Sequence, residues 1–130
     1  MTLFLSMAQI RQLHDRLIEE FGGATGVRDA AGLEAALARP ASTFGGDDLY
    51  ADSPAKAAAL MHSVVLNHPF IDGNKRVGAS AAELFLELNG LVVDATDAEW
   101  EDVTLAAARG ELSAEALAIW LRQRSTALPY

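Results

Sequence analysis

The chain has 130 residues, a length typical of a single domain, so residues 1–130 are predicted to fold as one unit. Its composition of 51% hydrophobic and 22% charged residues is that of a folded globular protein, and the absence of cysteine excludes disulfides, thiol nucleophiles and zinc–thiolate sites. The net charge of −8 disfavours nucleic acid as a direct partner, because its phosphates are also negative.

Apolar residues follow the helical period along most of the chain, which predicts an all-α fold, a compact bundle of about six helices. The first helix is expected to begin at Ser6, which forms a capping box with Gln9, and to stop at the glycine pair that starts with Gly22. A shorter second helix is expected to run from Asp29, as its N-cap, to Ala38.

The middle of the chain contains an irregular segment and then a third helix. Residues 40–52 show no period and carry a glycine pair, which predicts a surface loop. The third helix is expected to have Ser53 as its N-cap and Pro54 at its first position, where a missing N–H group is tolerated. This helix should end near Asn67.

Three more helices are predicted in the second half of the chain. The fourth covers residues 74–88, and the apolar residues 91–95 are expected to form an extended connector that is too short for a sheet. Thr96 begins the fifth helix, which extends to Gly110, and Ser113 caps the sixth. No apolar run approaches the roughly 18 residues of a membrane span and no signal-peptide pattern is present, so we expect a cytoplasmic protein with no membrane partner.

Residues 68–78 differ from the rest of the chain, because polar residues are concentrated there between two apolar helices. Gly73 and Asn74 form a turn that opens directly onto the fourth helix, whose first N–H groups lack partners within the helix. Those groups and the positive end of the helix dipole attract anions. Lys75 and Arg76 add two cations where basic residues are otherwise unfavourable, which predicts that an anion binds there.

Asp72 and His68 supply the remaining chemistry of this segment. A carboxylate beside a phosphate site suits Mg²⁺, which binds one or two protein oxygens together with substrate phosphates. The neutral imidazole of His68 is able to accept a hydroxyl proton near neutral pH, and Phe70 is expected to anchor the loop. Taken singly, each residue also has an ordinary structural interpretation as a helix end, a turn or a solvated charge. Their concentration in one short segment favours a functional site.

Residues 68–76, which read HPFIDGNKR, resemble the signature of the Fic/Doc superfamily and satisfy each of its specified positions. The resemblance extends over nearly the whole chain, because four further segments are similar to Doc (death-on-curing) toxins of toxin–antitoxin modules. These segments are residues 26–29, 36–40, 44–50 and 85–90.

The resemblance implies a helical bundle whose central helix is preceded by the motif loop, with ATP held there as co-substrate. His68 is then the catalytic base that deprotonates a hydroxyl group of a protein target, and Asp72 coordinates Mg²⁺. The residues that hold phosphates are Gly73, Asn74, Lys75 and Arg76.

The resemblance also implies protein partners. The irregular loop corresponds to the family's target-docking flap, here Thr43, Phe44, Gly45 and Gly46. The target in the Doc branch is a translation GTPase, elongation factor Tu, and its modification blocks translation. The inhibitory helix motif of some Fic proteins is not found, so inhibition is expected from a separate antitoxin chain of the Phd type, which packs a helix into an apolar groove.

Two positions favour a kinase over an adenylyltransferase. Adenylyl-transferring Fic enzymes have glycine where this chain has Lys75 and a second arginine where it has Ala79. A lysine side chain fills space beside the pyrophosphate, and the missing arginine removes a bidentate phosphate contact. Doc-type members share the Asn-Lys-Arg variant and transfer the γ-phosphoryl group. Adenylyl transfer, and a non-catalytic member that binds nucleotide or antitoxin only, remain as alternatives.

Several residues outside the motif are assigned structural roles. His14 is expected to be half-buried in the first helix, and Trp100 is expected to lie in the core. Arg28 and Arg39 either cap a helix or complement a partner, and the sequence does not decide between these roles.

Overall fold

The computed structural model describes residues 1–129 and consists mainly of α-helices. The six helices are α1 (Met7–Phe21), α2 (Ala30–Ala38), α3 (Ser53–Asn67), α4 (Asn74–Leu88), α5 (Asp97–Ala108) and α6 (Ala114–Arg124). The short strands are β1 (Thr43–Phe44), β2 (Asp47–Asp48), β3 (Leu91–Val93) and β4 (Ser125–Ala127). The predicted all-α bundle of about six helices is confirmed. No helix within residues 1–129 is long and apolar enough to cross a membrane.

Helices α3 and α4 form the centre of the bundle, because α3 packs along α4 on one side and along α6 on the other. Small buried residues in both helices allow their backbones to approach closely. A Cβ atom at Gly78 of α4 would lie 2.7 Å from Cγ1 of Val65 on α3. The missing side chain of Gly78 therefore sets the separation of the two central helices.

The predicted N-terminal caps of α1, α5 and α6, which depend on contacts within one turn, are confirmed. Ser6 and Gln9 form the predicted capping box at the start of α1. Thr96 and Glu99 form a second one at the start of α5. Ser113 caps α6 by accepting a hydrogen bond from a backbone N–H group three residues later. In each case both partners lie within one turn of helix, which is why the sequence reveals them.

The start of α3 differs from the prediction by one residue. Its N-cap is Asp52, whose carboxylate accepts a hydrogen bond from the backbone N–H of Ala55 at 2.9 Å. Ser53 and Pro54 are the first two helical residues, so the predicted Ser53 cap is wrong. Asp52 also pairs with Arg122 of α6 at 2.7 Å, and this hydrogen bond holds the pKa of Asp52 below its ordinary value. The Asp52 carboxylate accepts hydrogen bonds from the first turn of α3 and from Arg122 at the same time. The hydroxyl of Ser53 has no charge to pair with Arg122, which favours Asp52 as the cap.

Two segments that were predicted to be irregular contain short strands. Residues 91–93 pair antiparallel with residues 125–127. The prediction that this connector is too short for a sheet is wrong, because its partner strand follows α6 and no local pattern reveals the pairing. Within the predicted loop 40–52, residues 43–44 pair with residues 47–48 in a hairpin. The loop is therefore more regular than its sequence indicates.

Replacing Gly78 by valine is expected to lower the free energy of unfolding by about 2 kcal/mol, because the new side chain collides with Val65. Ala35→Val, at an exposed position of α2, is the matched control and is expected to cost about 0.5 kcal/mol from helix propensity alone. Urea unfolding followed by circular dichroism measures both variants. Equal stability of the two would show that the central helices do not need Gly78 for their close packing.

Candidate functional site

A cleft of about 760 Å³ opens at the N-terminal end of α4. The end of α1, the motif loop, α4 and α5 supply its walls. The motif residues that line it are His68, Ile71, Asp72, Gly73, Asn74, Lys75 and Arg76. The structure therefore brings the predicted base, the predicted metal ligand and the predicted phosphate-binding residues together on one concave surface.

His68 ends α3 in a conformation that is unusual for a residue with a side chain. Its φ is 49° and its ψ is 57°, and it is the only non-glycine residue with positive φ within residues 1–129. The Arg28 guanidinium donates hydrogen bonds to the backbone oxygens of His68, at 2.9 Å, and Asn67, at 3.0 Å. Arg28 therefore caps a helix, one of its two predicted roles, and stabilises a backbone conformation that costs of order 1 kcal/mol. The His68 side chain is exposed at the cleft.

The motif loop is held in shape by the side chain of Asn74. Its Oδ1 accepts a hydrogen bond from the backbone N–H of Phe70 at 2.9 Å, and its Nδ2 donates to the backbone oxygen of Phe70 at 3.0 Å. Phe70 is 1% exposed and fixes the loop to the core. Both ends of the Asn74 amide therefore bind the loop backbone, while its own backbone N–H group stands in the first turn of α4.

The first turn of α4 is electropositive. Its N-cap, Gly73, has a φ of 74° and offers no capping side chain, so the leading N–H groups have no acceptor within the helix. Lys75 and Arg76 are exposed, and neither forms an ion pair with a carboxylate of residues 1–129. The guanidinium of Arg76 lies over the ring of Phe21, 4.1 Å from its centroid, an attractive cation–π contact.

The carboxylate of Asp72 is fixed by two backbone hydrogen bonds. Its Oδ1 accepts from the N–H of Gly73 at 2.9 Å, and its Oδ2 accepts from the N–H of Ala24 at 3.2 Å. A carboxylate has about four lone-pair sites, so two stay available to a cation. Within residues 1–129 no three metal-ligating side chains converge, so the predicted metal-binding role of Asp72 rests on this one carboxylate.

The opposite end of the cleft is acidic. Glu83 of α4 and two carboxylates of α5, Asp97 and Glu101, line it together with Trp100. Burial raises the pKa of Glu83, and the charges of Glu87 and Asp97 raise it further. Trp100, which is predicted to lie in the core, packs against the core and is partly exposed in this wall. The cleft is therefore polarised, with cations at the motif end and carboxylates at the other.

The residues of the predicted flap do not line the cleft. Thr43 and Phe44 form strand β1, and Gly45 and Gly46 make the turn of the hairpin with φ values of 61° and 88°. These positive values explain the glycine pair, because residues with a side chain rarely adopt them. Phe44 is 80% exposed, so the hairpin presents an apolar side chain to solvent.

The base of this hairpin is fixed by two buried or half-buried cations. Lys56 of α3 is 3% exposed, pairs with Asp48 at 3.2 Å and donates a hydrogen bond to the backbone oxygen of Tyr50. Arg39 donates to the hydroxyl oxygens of Tyr50, at 2.7 Å, and Ser63, at 2.8 Å. Arg39 is the C-cap residue of α2, and its side chain joins the hairpin base to α3.

Sequence reasoning missed the contribution of His14 to this site. His14 was expected to be half-buried, but it is 1% exposed and its ring stacks on Phe70 with centroids 3.9 Å apart. Its Nε2 lies 2.7 Å from the backbone oxygen of Asp72. The available signal was its spacing, because Ile10, His14 and Ile18 recur every fourth residue and form the buried face of α1.

Glu83→Gln is expected to stabilise the folded chain at neutral pH. The pKa of Glu83 is higher in the folded chain than in the unfolded chain, so ionised Glu83 lowers the free energy of unfolding at high pH. This destabilisation disappears as the pH falls below both pKa values, because Glu83 is then protonated in both states. The gain in Tm should therefore shrink towards zero below about pH 4. Glu34→Gln, at an exposed position of α2, is the control. A gain that is independent of pH would contradict the assignment.

Comparison with known proteins identifies relatives of the chain. The model of the Fic/DOC family matches residues 4–86, a region that contains the whole motif. A protein named Toxin Doc, from Mycolicibacterium smegmatis, is 49% identical over 71 residues, which are 55% of this chain and 55% of that protein. Protein kinase doc, from Escherichia phage P1, is 32% identical over 119 residues, which are 92% of this chain and 93% of that protein. The chain therefore belongs to the Fic/DOC family.

Proposed function

We propose that the chain is a toxin of the Doc type that transfers the γ-phosphoryl group of ATP to a hydroxyl group of a protein. The observation that carries the proposal is the meeting of an exposed imidazole with an uncapped, electropositive helix N-terminus in one cleft. The relatives support it, because one is named a toxin and the other, which spans 92% of this chain, is named a protein kinase.

The charge distribution supports one orientation of the nucleotide. Lys75, Arg76 and the first N–H groups of α4 attract the triphosphate to the motif end of the cleft. Carboxylates at the opposite end, including Glu83 and Asp97, repel phosphate and leave that space to the uncharged nucleoside. In this orientation the phosphates lie towards His68.

Asp72 fits a magnesium-bound nucleotide, because its carboxylate reaches the cleft with lone pairs to spare. A bound Mg²⁺ ion supplies positive charge that offsets the charge on the phosphate oxygens during transfer. The contribution of the chain is to hold one carboxylate in a fixed place, and to leave the other ligand positions to phosphates and water.

His68 acts as the base in this reaction. Its neutral imidazole accepts the proton of the target hydroxyl while the hydroxyl oxygen forms a bond to the γ-phosphorus. The bond between that phosphorus and the bridging oxygen of ADP breaks, and ADP leaves with the electron pair. Arg28 fixes the direction from which the ring enters the cleft, because it holds the left-handed backbone at the end of α3.

Two side chains of α4 support transfer of the γ-phosphoryl group over adenylyl transfer. Lys75 is exposed at the cleft and places a charged side chain where adenylyl-transferring members have glycine. Ala79, which also lines the cleft, offers no charge where those members have arginine. These differences change how the triphosphate lies against α4, and we infer that they favour attack at the γ-phosphorus.

The proposal extends to two protein partners. The exposed Phe44 at the hairpin tip offers an apolar contact to the protein substrate, which we propose is a translation elongation GTPase such as elongation factor Tu. Its modification in the cytoplasm blocks translation. We propose that an antitoxin chain of the Phd type inhibits the toxin by laying a helical segment on exposed apolar residues at the cleft, such as Phe21 and Ile71.

ATP labelled at the α or the γ phosphate, incubated with purified elongation factor Tu and separately with bacterial lysate, tests the reaction class. We expect label on protein from the γ position only. Label from the α position would identify an adenylyltransferase, and no label from either would identify a binding protein without transfer activity.

His68→Ala is expected to reduce transfer by at least about 100-fold, because the proton acceptor is lost, while ATP binding stays within about twofold. His62→Ala is the matched control, since this histidine of α3 does not line the cleft. Transfer assays and calorimetry measure the two effects. Full activity of His68→Ala would falsify its role as the base.

Arg76→Ala is expected to weaken ATP binding about tenfold, because a charged hydrogen bond to phosphate is worth about 1.5 kcal/mol or more. Arg16→Ala removes an exposed arginine of α1 that does not line the cleft and serves as the control. Calorimetry in the His68→Ala background avoids turnover. Unchanged affinity for Arg76→Ala would count against phosphate binding at this residue.

A further inference from the structure

We infer that His14 is the positioning residue for Asp72, and that α1 together with the turn after it sets the place of the carboxylate that faces the cleft. The inference rests on the proposed function where it gives Asp72 the role of a magnesium ligand. The positioning of Asp72 by His14 does not depend on that role. His14 lies 58 residues before Asp72 and does not line the cleft, so it acts only through other groups.

In the hydrogen bond between His14 and Asp72, only His14 is able to be the donor. Nε2 of His14 lies 2.7 Å from the backbone oxygen of Asp72, and a carbonyl oxygen only accepts hydrogen bonds. Nε2 therefore carries the proton and donates it. The ring has no freedom to turn away, because it is 1% exposed and stacked on Phe70 with an interplanar angle of 10°.

A hydrogen bond to this backbone oxygen fixes more than one atom. The carbonyl of Asp72 and the N–H of Gly73 belong to the same planar peptide unit, so orienting one orients the other. That N–H donates to Oδ1 of the Asp72 side chain at 2.9 Å. His14 therefore sets the peptide plane, and the peptide plane holds the carboxylate.

The turn after α1 holds the other oxygen of the same carboxylate. Oδ2 of Asp72 accepts a hydrogen bond from the N–H of Ala24 at 3.2 Å. The preceding residue, Gly23, has a φ of 115°, and a Cβ atom there would come within 2.8 Å of Oδ2. Both carboxylate oxygens are thus positioned by groups that α1 controls, one through His14 and one through Ala24.

This arrangement has a consequence for a cation with strict geometry. Mg²⁺ requires ligands close to ideal octahedral positions, so a carboxylate that turns by a small angle loses much of its value as a ligand. Residues that orient metal ligands typically change metal affinity by about 10–100-fold when they are replaced. We therefore expect replacement of His14 to weaken the binding of ATP in the presence of Mg²⁺. The direct contacts of α4 with the phosphates should not change.

The test compares His14→Gln, which keeps a donor at similar reach, with His14→Asn, which is one methylene shorter. All variants carry His68→Ala so that ATP is not consumed. We expect His14→Asn to weaken ATP binding at least about tenfold in Mg²⁺ and less than about twofold in EDTA, with His14→Gln recovering most of the loss. His14→Phe, which keeps the stacked ring and loses the donor, should behave as His14→Asn does.

A second readout does not depend on ATP. Hydrogen exchange of the Gly73 amide, measured by NMR without nucleotide, should be at least about tenfold faster in His14→Asn than in His14→Gln, at equal Tm. Equal exchange rates in the two variants would overturn the inference, whatever the chain binds. If exchange is faster in His14→Asn but the chain that retains His14 does not bind ATP in Mg²⁺, the positioning of Asp72 by His14 is supported and the proposed function is overturned.

Discussion

The hydrogen bonds between the Asn74 amide and the backbone of Phe70 are the constraint on which the site depends. They close the motif loop on itself, and the buried ring of Phe70 fixes the closed loop to the core. His68 lies before this closed segment and Asp72 lies within it, so the two chemical groups have fixed relative positions. Asn74 is also the first residue of α4, so it joins the loop to the helix whose first turn is electropositive.

The first quarter of the chain contributes contacts to this loop without carrying any part of the motif. Arg28 holds the end of α3, Ala24 holds one oxygen of Asp72, and the ring of Phe21 lies against Arg76. These contacts explain why a motif of nine residues needs a whole domain around it. The loop has few internal hydrogen bonds, so its shape comes from neighbours that are distant in sequence.

The parts of the structure that could be predicted from the sequence are those whose cause is local. Ser6 and Thr96 reveal helix starts because their partners lie three residues away. The motif likewise reveals the site, because its residues are contiguous. The pairing of Asp52 with Arg122 and the hydrogen bond between His14 and Asp72 could not be predicted in the same way, because their partners lie 70 and 58 residues away. A histidine within an apolar stripe indicates burial, but not which backbone atom it binds.

The pairing of β3 with β4 has a consequence for how α4 becomes rigid. The motif loop fixes the N-terminal end of this helix, whereas its C-terminal end leads into β3, whose partner strand comes from residues 125–127. A ribosome makes that partner only after all six helices have been synthesised, and chains acquire structure as they emerge. A nascent chain that stops short of β4 therefore has its central helix tethered at one end only. The C-terminal end of the central helix is therefore fixed only late in synthesis, after the motif loop and the other walls of the cleft have been made.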